Sequence, residues 1–89
     1  MAGKITSGRL TLGTVASRVN GISVNPINIT VHNIDTLDKC YLGDENVTTS
    51  TGLPLDKSGE FTITLYQGNT LWGVSGKEGH HIAWIAQEL

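Results

Sequence analysis

The chain has 89 residues, a formal net charge of -2 at pH 7 and only 16% charged residues. That length makes a single domain, and the charge balance excludes both the basic footprint of a nucleic-acid binder and the block charges of an acidic tail. At 9.5 kDa the usual scaling gives about 5,000 Å² of folded surface, enough for one thin core and too little for a deep cleft.

Glycine and threonine are abundant and Val and Ile are frequent, a bias toward strands and tight turns. Lys4–Ser7 reads as an arm or an edge strand, and Arg9–Leu12 alternates polar and apolar residues. Thr14–Val19 continues as a strand after a break at Gly13, with Val15 and Val19 on one face. Asn20-Gly21 is a two-residue hairpin signal, Ile22–Val24 runs on, and Asn25-Pro26 breaks the chain again. Ile27–Asn33 is the clearest strand: Ile27, Ile29 and Val31 share one face, and Asn28, Thr30 and His32 share the other. The segment from Asn33 to Lys39 fits a short helical turn or a loop.

Tyr41–Leu55 follows, with Gly43–Asn46, a Thr/Ser patch, Gly52 and Pro54 shaping a turn region. Val47, Leu53 and Leu55 are expected in the core, and Asp44, Glu45, Thr49 and Ser50 in solvent. Asp56–Gly59 is a tight turn. Glu60–Leu65 is a second clear strand with Phe61, Ile63 and Leu65 inward. Gln67–Asn69 turns, Thr70–Val74 extends, and Gly76–Gly79 turns again. His80–Leu89 fits a strand face of Ile82, Trp84 and Ala86, or a helical stripe of Ile82, Ile85 and Leu89. A strand is expected, because the neighbouring strands need an edge partner.

Little in this order carries chemistry. His80 and His81 are adjacent, so in a strand they point to opposite faces and do not share a metal without a turn. His32 and Cys40 add no metal-binding spacing, and polar residues flanking a turn are the simpler reading. The lone Cys40 cannot form an internal disulfide; it opens an apolar run, which favours a small buried hydrophobe over a nucleophile. The acidic residues mostly sit in or beside turns and read as solvated loop charges and turn formers, not as a glycosidase pair. Trp72 and Trp84 could form a sugar platform or interface anchors, yet at least one is expected in the core. No phosphate loop is present, and no cofactor is called for. Asn28-Ile29-Thr30 and Asn46-Val47-Thr48 match the glycosylation tripeptide by chance. The first residues hold no apolar run of signal-peptide length, and no later segment is long enough to span a bilayer, so folding in a reducing cytoplasm is expected.

Asn33, Tyr41-Leu42-Gly43, Val47-Thr48, Gly52-Leu53-Pro54-Leu55, Gly59-Glu60, the Phe61–Leu65 strand and Leu71-Trp72-Gly73-Val74 follow one another in an order that resembles small β-sandwich virion proteins of tailed bacteriophages. The resemblance covers about Ile27 to the C-terminus. The segment from Asn33 to Tyr41 is longer than in that family, and the last strand, with Trp84 and Gln87-Glu88-Leu89, departs from it. It implies a non-enzymatic virion protein made in the host cytoplasm. The type implied is a capsid decoration (minor capsid) protein that binds the major capsid protein on the head surface, as a homotrimer. A tail, neck or baseplate module, binding a host glycan through Trp72 or Trp84, is the alternative. Neither nucleic acid nor membrane is an expected partner.

The expected fold is all-β, a small antiparallel β-sandwich or jelly-roll-like barrel of seven to eight short strands. Residues 1–8 form an N-terminal arm and residues 9–89 the single domain. Lys4, Ile5, Trp72 and Trp84 are the candidate partner-binding residues.

Overall fold

Eight strands pair in nested fashion, β1 with β8, β2 with β7, β3 with β6 and β4 with β5. The computed structural model describes residues 4–19 and 26–89. The strands are β1 (Ile5–Leu12), β2 (Ser17–Arg18), β3 (Ile27–Asn33), β4 (Cys40–Gly43), β5 (Leu53–Leu55), β6 (Glu60–Leu65), β7 (Trp72–Ser75) and β8 (His80–Glu88). Sheet I has the order β1-β8-β3-β6 and sheet II the order β2-β7-β4-β5, every pair antiparallel. This is the pattern of one long hairpin rolled up on itself, the jelly-roll topology. The tip of the hairpin lies between β4 and β5, inside Tyr41–Leu55.

Alternation explains the core. In β3, Ile27, Ile29, Val31 and Asn33 are buried while Asn28 is exposed and Thr30 and His32 are half-buried. In β8, His80, Ile82 and Ala86 are buried and Trp84 rests against the core from the same phase. The last segment is thus a strand. Leu12, Cys40, Leu42, Leu55, Leu65 and Leu71 complete the core from both sheets.

Several expectations are corrected. The expected strand over Thr14–Val19 reduces to Ser17–Arg18. Val15 is 77% exposed and Val19 3%, because the chain leaves the sheet after Gly13 and returns only where β7 offers a partner. Of the two readings of Lys4–Ser7, the edge strand is observed: β1 pairs with β8 from Ile5 opposite Gln87 onward, so the boundary placed after residue 8 falls inside a strand. The segment between β3 and β4 is a loop without helix, and Leu37 in it is exposed. The Asn20-Gly21 turn, the Ile22–Val24 extension and residues 1–3 of the arm lie outside the described residues.

The Tyr41–Leu55 stretch behaves in an unforeseen way. Gly73 is directed inward, since a Cβ there would meet Leu12 and Leu42. Its neighbours Trp72 and Val74, with Tyr41 and Gly43 opposite them, therefore lie on the outer face of sheet II. Residues 44–52 fold over that face. Val47 is 5% exposed and seats against Gly43 and Gly52, outside the main core cluster. Asp44 Oδ1 accepts the Asn46 N–H at 3.0 Å, and Thr48 and Thr51 exchange hydroxyl and amide bonds. Leu55 is buried as expected, but Leu53 is 49% exposed. It shares a phase with Leu55, yet β5 is the sheet edge and no strand covers its far end.

Gly52 is the position where the fold needs a missing side chain. An added Cβ would lie 2.6 Å from Tyr41 Cβ, 2.7 Å from Val47 Cγ2 and 3.1 Å from the Thr48 carbonyl. Gly52→Ala is therefore expected to cost about 1–3 kcal/mol. Gly76→Ala, where an added Cβ meets nothing within 4 Å, is expected to stay within about 0.5 kcal/mol of the parent. Urea unfolding of the two variants checks the contrast.

Candidate functional site

The strands of both sheets end together at one pole of the sandwich, and three polar side chains are fully buried there. Asn33 and His80 are 0% exposed and Ser75 is 1% exposed. Asn33 Nδ2 donates toward the carbonyls of Leu55 (3.0 Å), Asp38 (3.1 Å) and Asp56 (3.2 Å). Its Oδ1 accepts the Asp35 N–H at 3.1 Å and faces His80 Nε2 at 2.8 Å. His80 Nδ1 lies 2.9 Å from Ser75 Oγ, which also accepts the Lys77 N–H at 3.3 Å.

The partners fix the orientation of the Asn33 amide and the proton on His80 Nε2. Backbone carbonyls only accept, so the atom facing them is the amide nitrogen; the Asp35 N–H only donates, so the atom facing it is Oδ1. His80 Nε2 must then carry its proton toward Oδ1, and Nδ1 is left to accept the Ser75 hydroxyl. A neutral imidazole satisfies this arrangement fully. Burial pushes the His80 pKa below the ordinary 6.5, opposed by the carboxylate of Asp35.

Around this centre lies a ring of charge. Lys77 Nζ is 2.9 Å from Asp35 Oδ2 and 3.0 Å from Asp38 Oδ2. Asp35 Oδ1 accepts the N–H groups of Leu37 and Asp38 at 2.8 and 2.9 Å. The Lys77 ammonium, followed by these two amides, holds the Asp35 carboxyl well below the usual carboxylate range, and the two aspartates raise the pKa of Lys77. On the neighbouring turn Glu78 Oε2 accepts the Thr14 N–H (2.8 Å) and hydroxyl (2.9 Å), which lowers its pKa. Of the acidic residues read from sequence as solvated loop charges and turn formers, Asp35 does form a turn, Asp38 is half exposed and pairs with Lys77, and Glu78 holds the Thr14 segment. Among the described residues no group of three or more His, Cys, Asp or Glu is placed to hold a metal. Cys40 is fully buried and its thiol is pushed up to about 11 by desolvation, the state of an inert core residue.

The four residues expected to bind a partner do not converge. The Lys4 N–H donates to Glu88 Oε1 at 3.1 Å at the start of β1, and Ile5, 62% exposed, lies on the outer face of sheet I. Trp84 lies on the inner face of the same sheet, over Gly8, where a Cβ would come within 3.1 Å of its ring. Trp72 sits on the outer face of sheet II, its Nε1–H donating to Thr70 Oγ1 at 2.9 Å. Both indoles are half-buried, so neither is an open platform.

Two other surfaces stand out. The first is a side opening of about 320 Å³ between β6 and the β4–β5 hairpin, walled by Leu53, Phe61, Ile63, Leu65 and Leu71. The second is the outer face of sheet I, where the register aligns residues in rows. Arg9, Ala83, His32 and Glu60 cross the four strands in one row. Ser7, Ile85, Thr30 and Thr62 form the next, with Thr30 and Thr62 hydroxyls bonded at 2.8 Å. Ile5, Gln87, Asn28 and Thr64 form the third, with the Thr64 hydroxyl on Asn28 Oδ1.

No protein-family model matches the chain, and no curated protein matches it. Among solved structures the chain is similar to a Bacillus endospore appendage protein, described as belonging to a novel family of disulfide-linked pili. The TM-score is 0.59 at 10% identity, over 99% of this chain and 89% of that one. That likeness concerns the fold.

Two outcomes follow from the buried centre. Asn33→Ala strands the His80 Nε2–H, the Asp35 N–H and three carbonyls, and is expected to cost about 2–4 kcal/mol in urea unfolding. His80, neutral in the fold, gains a proton more easily once unfolded. Below its ordinary pKa of 6.5 the unfolded chain therefore holds more protons. Stability complete above that pH is lost as pH falls toward the lowered folded pKa, by up to about 1.4 kcal/mol per pH unit. Asp35 and Glu78 lose their contributions only below their ordinary values of 3.8 and 4.5. A fall in melting temperature between about pH 6.5 and pH 5 is expected for the parent and is expected to vanish in His80→Gln.

Proposed function

We propose that the protein is a non-enzymatic structural virion protein of the capsid-decoration type, binding the major capsid protein on the outer surface of a phage head and stabilising the shell. The observation that carries this reading is the apolar side opening beside β5 and β6. Both are outermost strands of their sheets, and Leu53, at 49% exposure, lies on the opening's rim beside Phe61 and Ile63. An extended segment of a capsid subunit laid there would hydrogen-bond to a strand edge and cover these side chains in one step. For so thin a core, apolar burial gained on assembly is a large increment of stability.

Two further observations support assembly over catalysis. The polar groups drawn together at the pole of the sandwich are, among the described residues, engaged with one another. Jelly rolls also recur in viral capsid and lectin domains, and the structurally similar Bacillus protein belongs to a pilus. Fold alone does not assign function; the exposed apolar rim is the local feature that supports a protein partner.

Leu53→Asp places a charge at an already exposed rim position. It is expected to leave the melting temperature nearly unchanged while lowering occupancy on purified particles about ten-fold or more. Particles lacking the protein are expected to lose their contents at lower temperature than complete ones. Equal heat resistance of the two particle types would sink the shell-stabilising role.

A further inference from the structure

The outer face of sheet I is almost uncharged, with a depression of about 500 Å³ at one end where Arg9 and His81 meet the loop residues Ile34, Asp35 and Thr36. Its charges are Arg9 and Glu60, which stand at opposite edges of one row, three strand spacings or about 14 Å apart. Neither makes an ion pair among the described residues. Below that row the face is Ser, Thr, Asn and Gln, interrupted by Ile85 at 51% exposure and Ile5 at 62%. Thr30 and Thr62 already satisfy each other, as do Asn28 and Thr64, so part of this polar surface is readily dehydrated.

We propose that this face pairs with the same face of a second copy about a two-fold axis parallel to the strands. Such a rotation keeps every row at its own height and exchanges the edges, so β1 of one copy lies over β6 of the other. Arg9 of each copy then meets Glu60 of the other, twice, and Ile85, on the inner strand β8, falls close to its counterpart beside the axis. The other in-plane axis, across the strands, lays β1 over β1 and β6 over β6 and leaves all four charges without partners. Charge complementarity thus selects one self-pairing over the other. Aligned packing of twisted sheets turns one against the other by about 30°, which displaces a group about 7 Å off the axis by roughly 4 Å, within the reach of an arginine side chain.

Four strands by about seven residues give roughly 450 Å² of sheet per copy, below the roughly 800 Å² per partner of a standard interface. The pair is accordingly weak for free chains, and it becomes effective where a scaffold holds copies close together. It stands in place of the trimer expected from shell symmetry, and it does not rest on the virion reading: it is read on the isolated protein, without particles.

Sedimentation velocity from micromolar to millimolar concentration tests it, with circular dichroism confirming that each variant is folded. The parent is expected to pass from monomer to dimer, less so at high salt. Arg9→Glu and Glu60→Arg each create two like-charge contacts per dimer and are expected to raise the dissociation constant about ten-fold or more. The double variant Arg9→Glu/Glu60→Arg is expected to return it to near the parent value, and Ile85→Asp to abolish the dimer. A monomer at every concentration, a trimer, single variants indistinguishable from the parent, or a double variant as weak as the singles would each overturn the proposal.

Discussion

The contact on which this fold depends is the buried bond between Asn33 and His80. Both residues belong to sheet I, yet Asn33 reaches the carbonyls that end β5, and His80 reaches Ser75 at the end of β7. Two side chains therefore tie the ends of β3, β5, β7 and β8 and their adjoining loops into one pole, where a sandwich would otherwise leave unpaired backbone groups. No disulfide stiffens that pole, since Cys40 is the single cysteine. A wholly satisfied polar cluster in a low-dielectric setting takes that role, and it is intolerant of partial loss.

From that pole the rest of the molecule can be placed. The rolled hairpin sets β4 and β5 at its tip, and residues 44–52 fold back over sheet II as a small covering layer. The pairing at the other flank stays open: β5 has three residues, including Pro54, too short to close the sandwich against β6. Short, proline-bearing edges are one way proteins discourage unwanted strand pairing. Here the short edge also leaves Leu53 uncovered. Sheet I has the longer edges, β1 with eight residues and β6 with six, and its outer face carries the two separated charges. The exposed apolar rim and the sparsely charged face thus lie on the flank and on sheet I.

Much of this was legible in the sequence where one physical rule dominates. Period-two alternation identifies β3 and β6 with their inward phases, because each has one face in the core and one in solvent; β8, whose pattern also fits a helical stripe, is read as a strand only from its neighbours' need of a partner. The pole was not read, although its signal was present. Asn33 continues the phase of Ile27, Ile29 and Val31, and His80 precedes Ile82, Trp84 and Ala86 in the same phase. Two polar residues in apolar phase at strand ends imply a buried pair, but which strand ends meet is set by topology, and a nested roll brings together residues 47 apart. Leu53 fails for the complementary reason: its apolar character argues for the core, but no strand passes over it. The partner-binding residues chosen from sequence were scattered over three surfaces, because Trp84 is needed to fill the space above Gly8 and Trp72 lies against the outside of sheet II.

The position of Cys40 also constrains how copies of this chain can be held together. The similar Bacillus protein belongs to pili whose links are disulfides, whereas here the thiol lies at 0% exposure in β4 between Leu55 and Ser75. Presenting it to another chain would require β4, the inner strand beside the hairpin tip, to leave its sheet. The folded chain therefore has no thiol to offer for a disulfide to another chain, and its one cysteine is shielded from oxidants.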